Sequence, residues 1–191
     1  MYCKGDFIMD RYLNVPFTKE EALSLKAGDM VYLTGTVYTA RDAAHKRMAE
    51  TLDAGGELPV SLQGNVIYYM GPSPAREGRP IGSAGPTTAS RMDKYTPRLL
   101  DLGLAGMIGK GKRSREVSDA IVRNGSVYFA AIGGAGALLS KAITDSEVIA
   151  YDDLGTEAIR KLTVKDFPVT VVIDSRGENL YETATLQYCK E

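Results

Sequence analysis

The chain has 191 residues, 44% of them hydrophobic and 25% charged, with a formal net charge of -1. This suits a soluble globular protein with enough length for a substantial core, and a single domain over 1–191 is expected. The balanced charge offers no field for nucleic acid or an anionic membrane, and apolar runs such as Val127–Ile132 are too short to span a bilayer.

The start, "MYCKGDFIMD", has no apolar h-region, so a cytoplasmic location is the expectation. Leu13–Pro16 leads into Thr18-Lys19-Glu20-Glu21, a capping-box pattern that predicts a short helix stopping near Gly28. Met30–Val37 is rich in β-branched and aromatic residues and reads as a strand. Thr39-Ala40-Arg41-Asp42 is a second capping-box candidate, for a helix carrying Ala43, Ala44, Met48 and Leu52 and ending before Gly55-Gly56. Asn65–Met70 reads as a strand. Gly71–Gly85 is a long loop with four glycines and three prolines, and loops of that length in compact domains are usually functional or mobile.

Helical pattern returns from Thr88, with Met92, Tyr95, Leu99 and Leu100 on one face. Leu104–Ser114 reads as a strand followed by a Gly-Lys turn. Ser114 caps a helix that Gly125 ends. "SVYFAAI" is a buried strand, "GGAGALLSKAI" a helix and "EVIAY" a strand. From Ile159 the chain reads as β, with Asp174-Ser175-Arg176-Gly177 as a hairpin turn. The middle alternates strand and helix and the ends are more β-like, which predicts an α/β fold with a mixed sheet and helices.

Three places combine a strand end, a glycine or helix start, and a cation. Arg41 and His45 are four apart and share a helix face; the segment suits either a solvated first turn or an anion site. In "GPTTASRMDKY" a helix starting at Thr87 or Thr88 would offer free amides, and Arg91 one turn on could fork onto a carboxylate. The alternative is a plain cap with a solvated arginine. In Gly109-Lys110-Gly111-Lys112-Arg113 the glycines permit close approach to a ligand, or the segment is a basic surface turn. It is not a Walker motif, and "IGGAG" lacks the full dinucleotide fingerprint, so NAD is disfavoured. Together Arg41, Arg91 and Lys110 could clamp a small dianion at the ends of several strands.

"YTARDAAHKRM", "GPTTASRMDKY", "MIGKGKRS", "YFAAIGGAGALL" and "DLGTEAIRKLTVKDFPVTVVIDSRGENLY" resemble the β subunit, or C-terminal domain, of class I fumarate hydratase. The resemblance runs from about Val15 to Tyr181 with the motifs in the family's order. It implies a swivelling β/β/α domain and reversible hydration of fumarate to (S)-malate by a hydro-lyase using a 4Fe–4S cluster. It further implies that Arg41 and Arg91 hold substrate carboxylates, that Lys110 contacts substrate, and that Thr87 is the base for the C3 proton. Thr88 is then the helix cap, and His45 either orients Arg41 or packs. A threonine needs activation, which the family draws from an aspartate of the α part.

Family members bind the cluster through three cysteines. The chain has two, Cys3 and Cys189, both outside the matched motifs, so no metal ligand is expected here. The expected arrangement is a hetero-oligomer in which a partner α subunit carries the cluster and a small dicarboxylate binds at the interface. Two rivals stand beside this reading: the β subunit of L(+)-tartrate dehydratase and a non-catalytic carboxylate-binding module.

Overall fold

A computed structural model describes residues 10–132 and 135–186. Cys3, Cys189 and the two central glycines of "IGGAG", Gly133 and Gly134, lie outside the described residues. The strands are β1 (Arg11–Val15), β2 (Met30–Thr39), β3 (Val66–Tyr68), β4 (Gly106–Gly109), β5 (Val127–Ala130), β6 (Ile143–Ala150) and β7 (Ile159–Ile173). The helices are α1 (Lys19–Ser24), α2 (Asp42–Asp53), α3 (Thr96–Asp101), α4 (Arg115–Asn124), α5 (Gly136–Leu139) and α6 (Leu180–Leu186). No helix among the described residues is long and apolar enough to cross a membrane.

The sheet is mixed, as expected. β1 to β5 are mutually parallel in the order β1-β2-β3-β4-β5, and β7 then pairs antiparallel with β5. β7 also runs antiparallel to β2, from Thr39–Arg160 to Met30–Thr170. The pairing β2-β3-β4-β5-β7-β2 therefore closes on itself, with β1 and β6 extending from it. β2 serves three neighbours because β1 pairs with Val31–Gly35 and β3 with Tyr38–Thr39, while β7 runs along its whole length with a register shift between Leu33 and Gly35. Gly35 has φ +124, and a Cβ there would stand 2.2 Å from Val15 O, so only glycine fits where β1 crosses.

Alternation along the strands splits the interior in two. Val31, Leu33, Val66, Tyr68, Ile108, Phe129, Phe167 and Val169 join one cluster. Their neighbours Ile67, Tyr69, Met107 and Tyr128 face the other way, against Ala44 and Met48 of α2, Leu99 and Leu100 of α3, and Val117 and Ile121 of α4. Burying each of these larger apolar side chains stabilises the fold by about 1.5–3 kcal/mol.

Local expectations were met at several termini. Thr18 and Glu21 form the capping box of α1, Ser114 accepts from Val117 N at the start of α4, and Gly125 ends α4 in the left-handed region. Others need correction. β1 was not expected as a strand; it is short, and its exposed Tyr12 stacks on Tyr32 instead of entering a core. Thr39 caps nothing: it is fully buried in β2, and its hydroxyl bonds to Ala158 O and Arg160 N across the sheet. The helix expected from Thr88 is a 3-10 turn, Ala89–Met92, followed by α3 from Thr96. Asp174–Gly177 does reverse the chain, but after one bridge, Ile173–Asn179, the chain enters α6 and not a further strand.

Arg113 also departs from its sequence context. It ends the basic turn, yet its side chain is wholly buried beneath the rings of Tyr69 and Tyr128, at 5.3 and 4.9 Å. Asp93 holds it, accepting from Arg113 Nε at 2.7 Å and from Ser114 N at 2.6 Å. Arg113 Nη2 donates to Thr96 at 2.9 Å. Removing one partner of such a buried pair costs about 3–5 kcal/mol.

α2 turns Ala44, His45 and Met48 inward. His45 is 1% exposed, its Nδ1 donates to Arg41 O at 2.8 Å, and its ring meets Tyr69 edge-on at 5.3 Å. Burial pushes its pKa down to about 4; the bond to Arg41 O opposes this, the Arg113 guanidinium adds to it, and Asp42 opposes. The unfolded imidazole takes a proton near 6.5, so the neutral packed ring contributes stability that is present above that pH and lost as pH falls toward 4. The difference is roughly 3 kcal/mol. Urea unfolding from pH 7 to pH 4 should show that much steeper a loss in the natural protein than in His45→Asn. Equal slopes would contradict the buried neutral imidazole.

Candidate active site

The C-terminal ends of β2, β3 and β4 converge, and each delivers part of the cluster that the sequence singles out. β2 ends at Thr39, and Arg41 follows as the residue preceding α2. β3 ends at Tyr68 and runs into the Gly71–Gly85 loop. β4 ends at Gly109, and Lys110 follows. Ligands commonly bind outside the carboxyl ends of strands in α/β sheets.

The long loop is pinned, not free. The buried Tyr68 hydroxyl donates to Ala84 O, and Ala84 N donates to Gly136 O at 3.1 Å. Ser73 N donates to Ser83 O, and Ser83 N to Ser73 Oγ, which draws the loop's two limbs together. Gly82 fits between them, since a Cβ would lie 2.2 Å from Ser73 O. The loop thereby delivers Thr87 against the sheet: Thr87 N donates to Tyr69 O at 2.7 Å, Lys110 N to Thr87 O at 3.3 Å, and Ala89 N to Lys110 O at 2.8 Å. Thr88 and Lys110 form an isolated parallel bridge. Thr87, Thr88 and Lys110 are thus adjacent by backbone pairing.

This corrects the expected role of Thr88. Its side chain makes no cap bond, and the first amide of the turn is bound to Lys110 O and not free for an anion. Thr88 and Lys110 are exposed and Thr87 is half-buried. Neither the Thr87 hydroxyl nor the Lys110 ammonium has a hydrogen-bond or ion-pair partner among the described residues.

Arg91 reaches back to α2, its Nε donating to Asp42 Oδ1 at 2.8 Å. Its terminal nitrogens are unpaired among the described residues. Arg41 is 21% exposed, and its Nη1 lies where Gly71 leaves room: a Cβ on Gly71 would stand 2.8 Å from it. Arg41 Nε is 3.9 Å from Asp42 Oδ2, and Nη2 is 3.6 Å from Glu157 Oε1. Both separations exceed hydrogen-bond range, so this half-buried guanidinium makes no hydrogen bond among the described residues, and its Nε is fully buried without a partner.

Glu157 and Asp42 belong to this cluster and were not singled out as site residues by the sequence. Glu157 Oε2 accepts from Ala43 N at 2.8 Å, supplying the cap that Thr39 does not. Arg47 adds a second tie from α2 to the same segment, with two bonds to Asp153 at 2.6 and 2.8 Å. Glu157 stands 114 residues from Ala43, and no local pattern links them. His45 lies behind the cluster, buried, with Nε2 unpartnered among the described residues.

The structure therefore brings Arg41, Arg91, Lys110, Thr87 and Thr88 to one face, with His45 beneath it. Two of the three cations, Arg41 and Arg91, stand beside the carboxylates of Asp42 and Glu157, and the unpaired donors among the described residues are guanidinium, ammonium and hydroxyl groups. Such groups recognise carboxylates. They do not suit an iron–sulfur cluster, which thiolates hold. Among the described residues no group of three or more His, Cys, Asp or Glu side chains is placed to hold a metal ion.

The family model described as Fumarase C-terminus matches residues 9–184. The anaerobic class I fumarate hydratase of Escherichia coli (strain K12) is 42% identical over 159 residues, covering 82% of this chain and 29% of that protein. Fumarate hydratase 2 of Leishmania major is 39% identical over 165 residues, 85% of this chain and 29% of its own length. A putative L(+)-tartrate dehydratase subunit beta of Methanocaldococcus jannaschii is 37% identical over 171 residues, and there the match covers 86% of this chain and 88% of the relative. The chain thus spans less than a third of the fumarate hydratases it resembles and most of the tartrate dehydratase subunit. A family match over nearly the whole chain shows that the chain belongs to the Fumarase C-terminus family.

Proposed function

We propose that the chain is the substrate-holding β subunit of a fumarate hydratase, which interconverts fumarate and (S)-malate together with an α subunit carrying the 4Fe–4S cluster. The observation that carries the reading is the Arg41 guanidinium, half-buried and without a hydrogen bond among the described residues. Its terminal nitrogens make no hydrogen bond among the described residues, and a substrate carboxylate would supply the missing acceptors. Arg91 offers two terminal nitrogens in the fork that matches a second carboxylate, and Lys110 adds an unpaired ammonium.

In this reading the residues work as follows. Arg41 and Arg91 hold the two carboxylates of malate and fix the carbon chain between them. Thr87 receives the C3 proton, the electron pair left behind forms the C2–C3 double bond, and the C2 hydroxyl leaves as hydroxide or water, for which the cluster held by the partner would supply a Lewis acid. The charge that then develops on the adjacent carboxylate is stabilised by the fixed cations, which need not reorganise during the reaction. A threonine hydroxyl is a weak base unless another group activates it. Among the described residues no carboxylate or imidazole hydrogen-bonds the Thr87 hydroxyl, which supports an activating carboxylate contributed by the partner. No residue of this chain is assigned to the cluster.

The second reading is a β subunit of L(+)-tartrate dehydratase, favoured by the match over 88% of the relative of that name. The same clamp would hold tartrate, and the added substrate hydroxyl would be read elsewhere. A carboxylate-binding module without catalysis is the third.

In the assembled enzyme, Arg91→Ala should remove charge-assisted bonds worth about 1.5–3 kcal/mol, lowering kcat/KM by roughly ten- to a hundredfold. Lys110→Met should lower it in the same direction with an unchanged thermal melt. Thr87→Ala should lower kcat far more than it raises KM. Steady-state rates near natural values in all three would overturn the site, and loss confined to KM in Thr87→Ala would make Thr87 a binding residue and not the base.

Reconstituted anaerobically with iron and sulfide, the chain alone should show no hydratase activity, and activity should appear on adding the α subunit. Turnover by the chain alone would contradict the division of labour. Turnover of fumarate over tartrate and mesaconate by the complex separates the first two readings, and preference for tartrate would select the second.

A further inference from the structure

Asp42 occupies a position that its place in a helical first turn does not explain. It is the first residue of α2, where an acidic side chain is favoured by the helix dipole. A solvated carboxylate would meet that preference. Instead Oδ1 accepts from Arg91 Nε at 2.8 Å, 49 residues away in sequence, and Oδ2 is buried without a hydrogen bond, facing Arg41 Nε at 3.9 Å. One carboxylate thus stands between the two arginines that hold substrate in the reading above.

The way it engages them is chemically specific. An arginine has five N–H donors in a rigid fork. Asp42 takes Nε–H of Arg91 and leaves both terminal nitrogens unpaired. On Arg41 it again faces Nε and not the terminal nitrogens. A counter-ion that only neutralised charge would gain most from a bidentate grip, as Asp153 takes on both terminal nitrogens of Arg47 and Asp101 on Nε and Nη2 of Arg123. At Asp42 the side edge of Arg91 is occupied and its substrate-binding end is spared.

Asp42 is itself firmly mounted. Arg41 O, just before it, accepts from both His45 N and His45 Nδ1 at 2.8 Å. Ala43 N, just after it, donates to Glu157 at 2.8 Å. The start of α2 is therefore fixed from both sides, and Asp42 transmits that fixed position to the 3-10 turn carrying Arg91.

The geometry points to Asp42 as a positioning residue that sets the separation and orientation of Arg41 and Arg91, and so makes the site selective for a dicarboxylate over a monocarboxylate. This rests on the reading of the two arginines as the substrate clamp. Asp42 touches no substrate in this account and acts only through the guanidinium groups.

The test uses the assembled enzyme with succinate and propionate as competitive inhibitors, so that one probe needs both arginines in register and the other needs one. Asp42→Ala should weaken inhibition by succinate at least tenfold and by propionate less than twofold, with KM for malate rising more than kcat falls. Asp42→Asn keeps the volume and an acceptor oxygen, so it remains informative if the alanine variant fails to fold; it should move the same ratio at least threefold. Asp42→Glu, which keeps the charge, should restore part of the selectivity that Asp42→Ala loses. An unchanged succinate-to-propionate ratio overturns the inference, as does an equal loss for both inhibitors with a lowered melting temperature. Lys110→Met is run in parallel. If it weakens succinate binding and the Asp42 variants do not, only the role of Asp42 fails; if none of the variants alters binding, the clamp itself is wrong.

Discussion

β7 pairs with β2 from Thr39–Arg160 to Met30–Thr170 and with β5 at Tyr128–Ile173, and this closure decides where the functional groups come to lie. Without it, β2 and β5 would sit at separate edges of an open parallel sheet. With it, the residues just before β7 are carried to the end of β2. That is how Glu157, immediately upstream of β7, meets Ala43 and Arg41, immediately downstream of β2. The same closure seals the apolar face of every strand in the ring. Few side chains are then free to rearrange when a ligand arrives, because packed interiors resist small shifts.

On that frame the site is a set of cations deliberately under-paired. By contrast Arg47 gives both terminal nitrogens to Asp153, and Arg123 gives Nε and Nη2 to Asp101. Arg113 is buried and satisfied by Asp93 and Thr96 beneath two aromatic rings. Arg41 has two carboxylates nearby and bonds to neither. Arg91 gives up one donor and keeps its terminal nitrogens unpaired among the described residues. Preorganised donors waiting for charge are the arrangement that stabilises a developing anion most effectively.

Much of this was legible in the sequence, and the failures share a cause. The strand–helix alternation, the Ser114 and Thr18 caps and the Gly125 terminus follow from local chemistry and stand in the structure. The cations Arg41, Arg91 and Lys110 were legible because each follows a strand or glycine signal. What the sequence hid depends on pairing across long separations. Glu157 replaces Thr39 as the cap of α2 because the sheet closes, and nothing near residue 39 announces it. Arg113 sits in a run of basic residues typical of a surface turn, and only Asp93, Tyr69 and Tyr128 make its burial tolerable. Thr88 looked like a cap because a helix was expected there; the bridge to Lys110 instead draws the chain into a 3-10 turn.

The central claim is that Arg41 and Arg91 await the two ends of one dicarboxylate. A crystal structure of the assembled protein with a bound, non-reacting dicarboxylate tests it most directly. The account predicts one carboxylate on the terminal nitrogens of Arg41 and the other on those of Arg91, with Asp42 still at Arg91 Nε. A ligand bound elsewhere, with the terminal nitrogens of Arg41 and Arg91 hydrogen-bonded to Glu157 and Asp42, would contradict it.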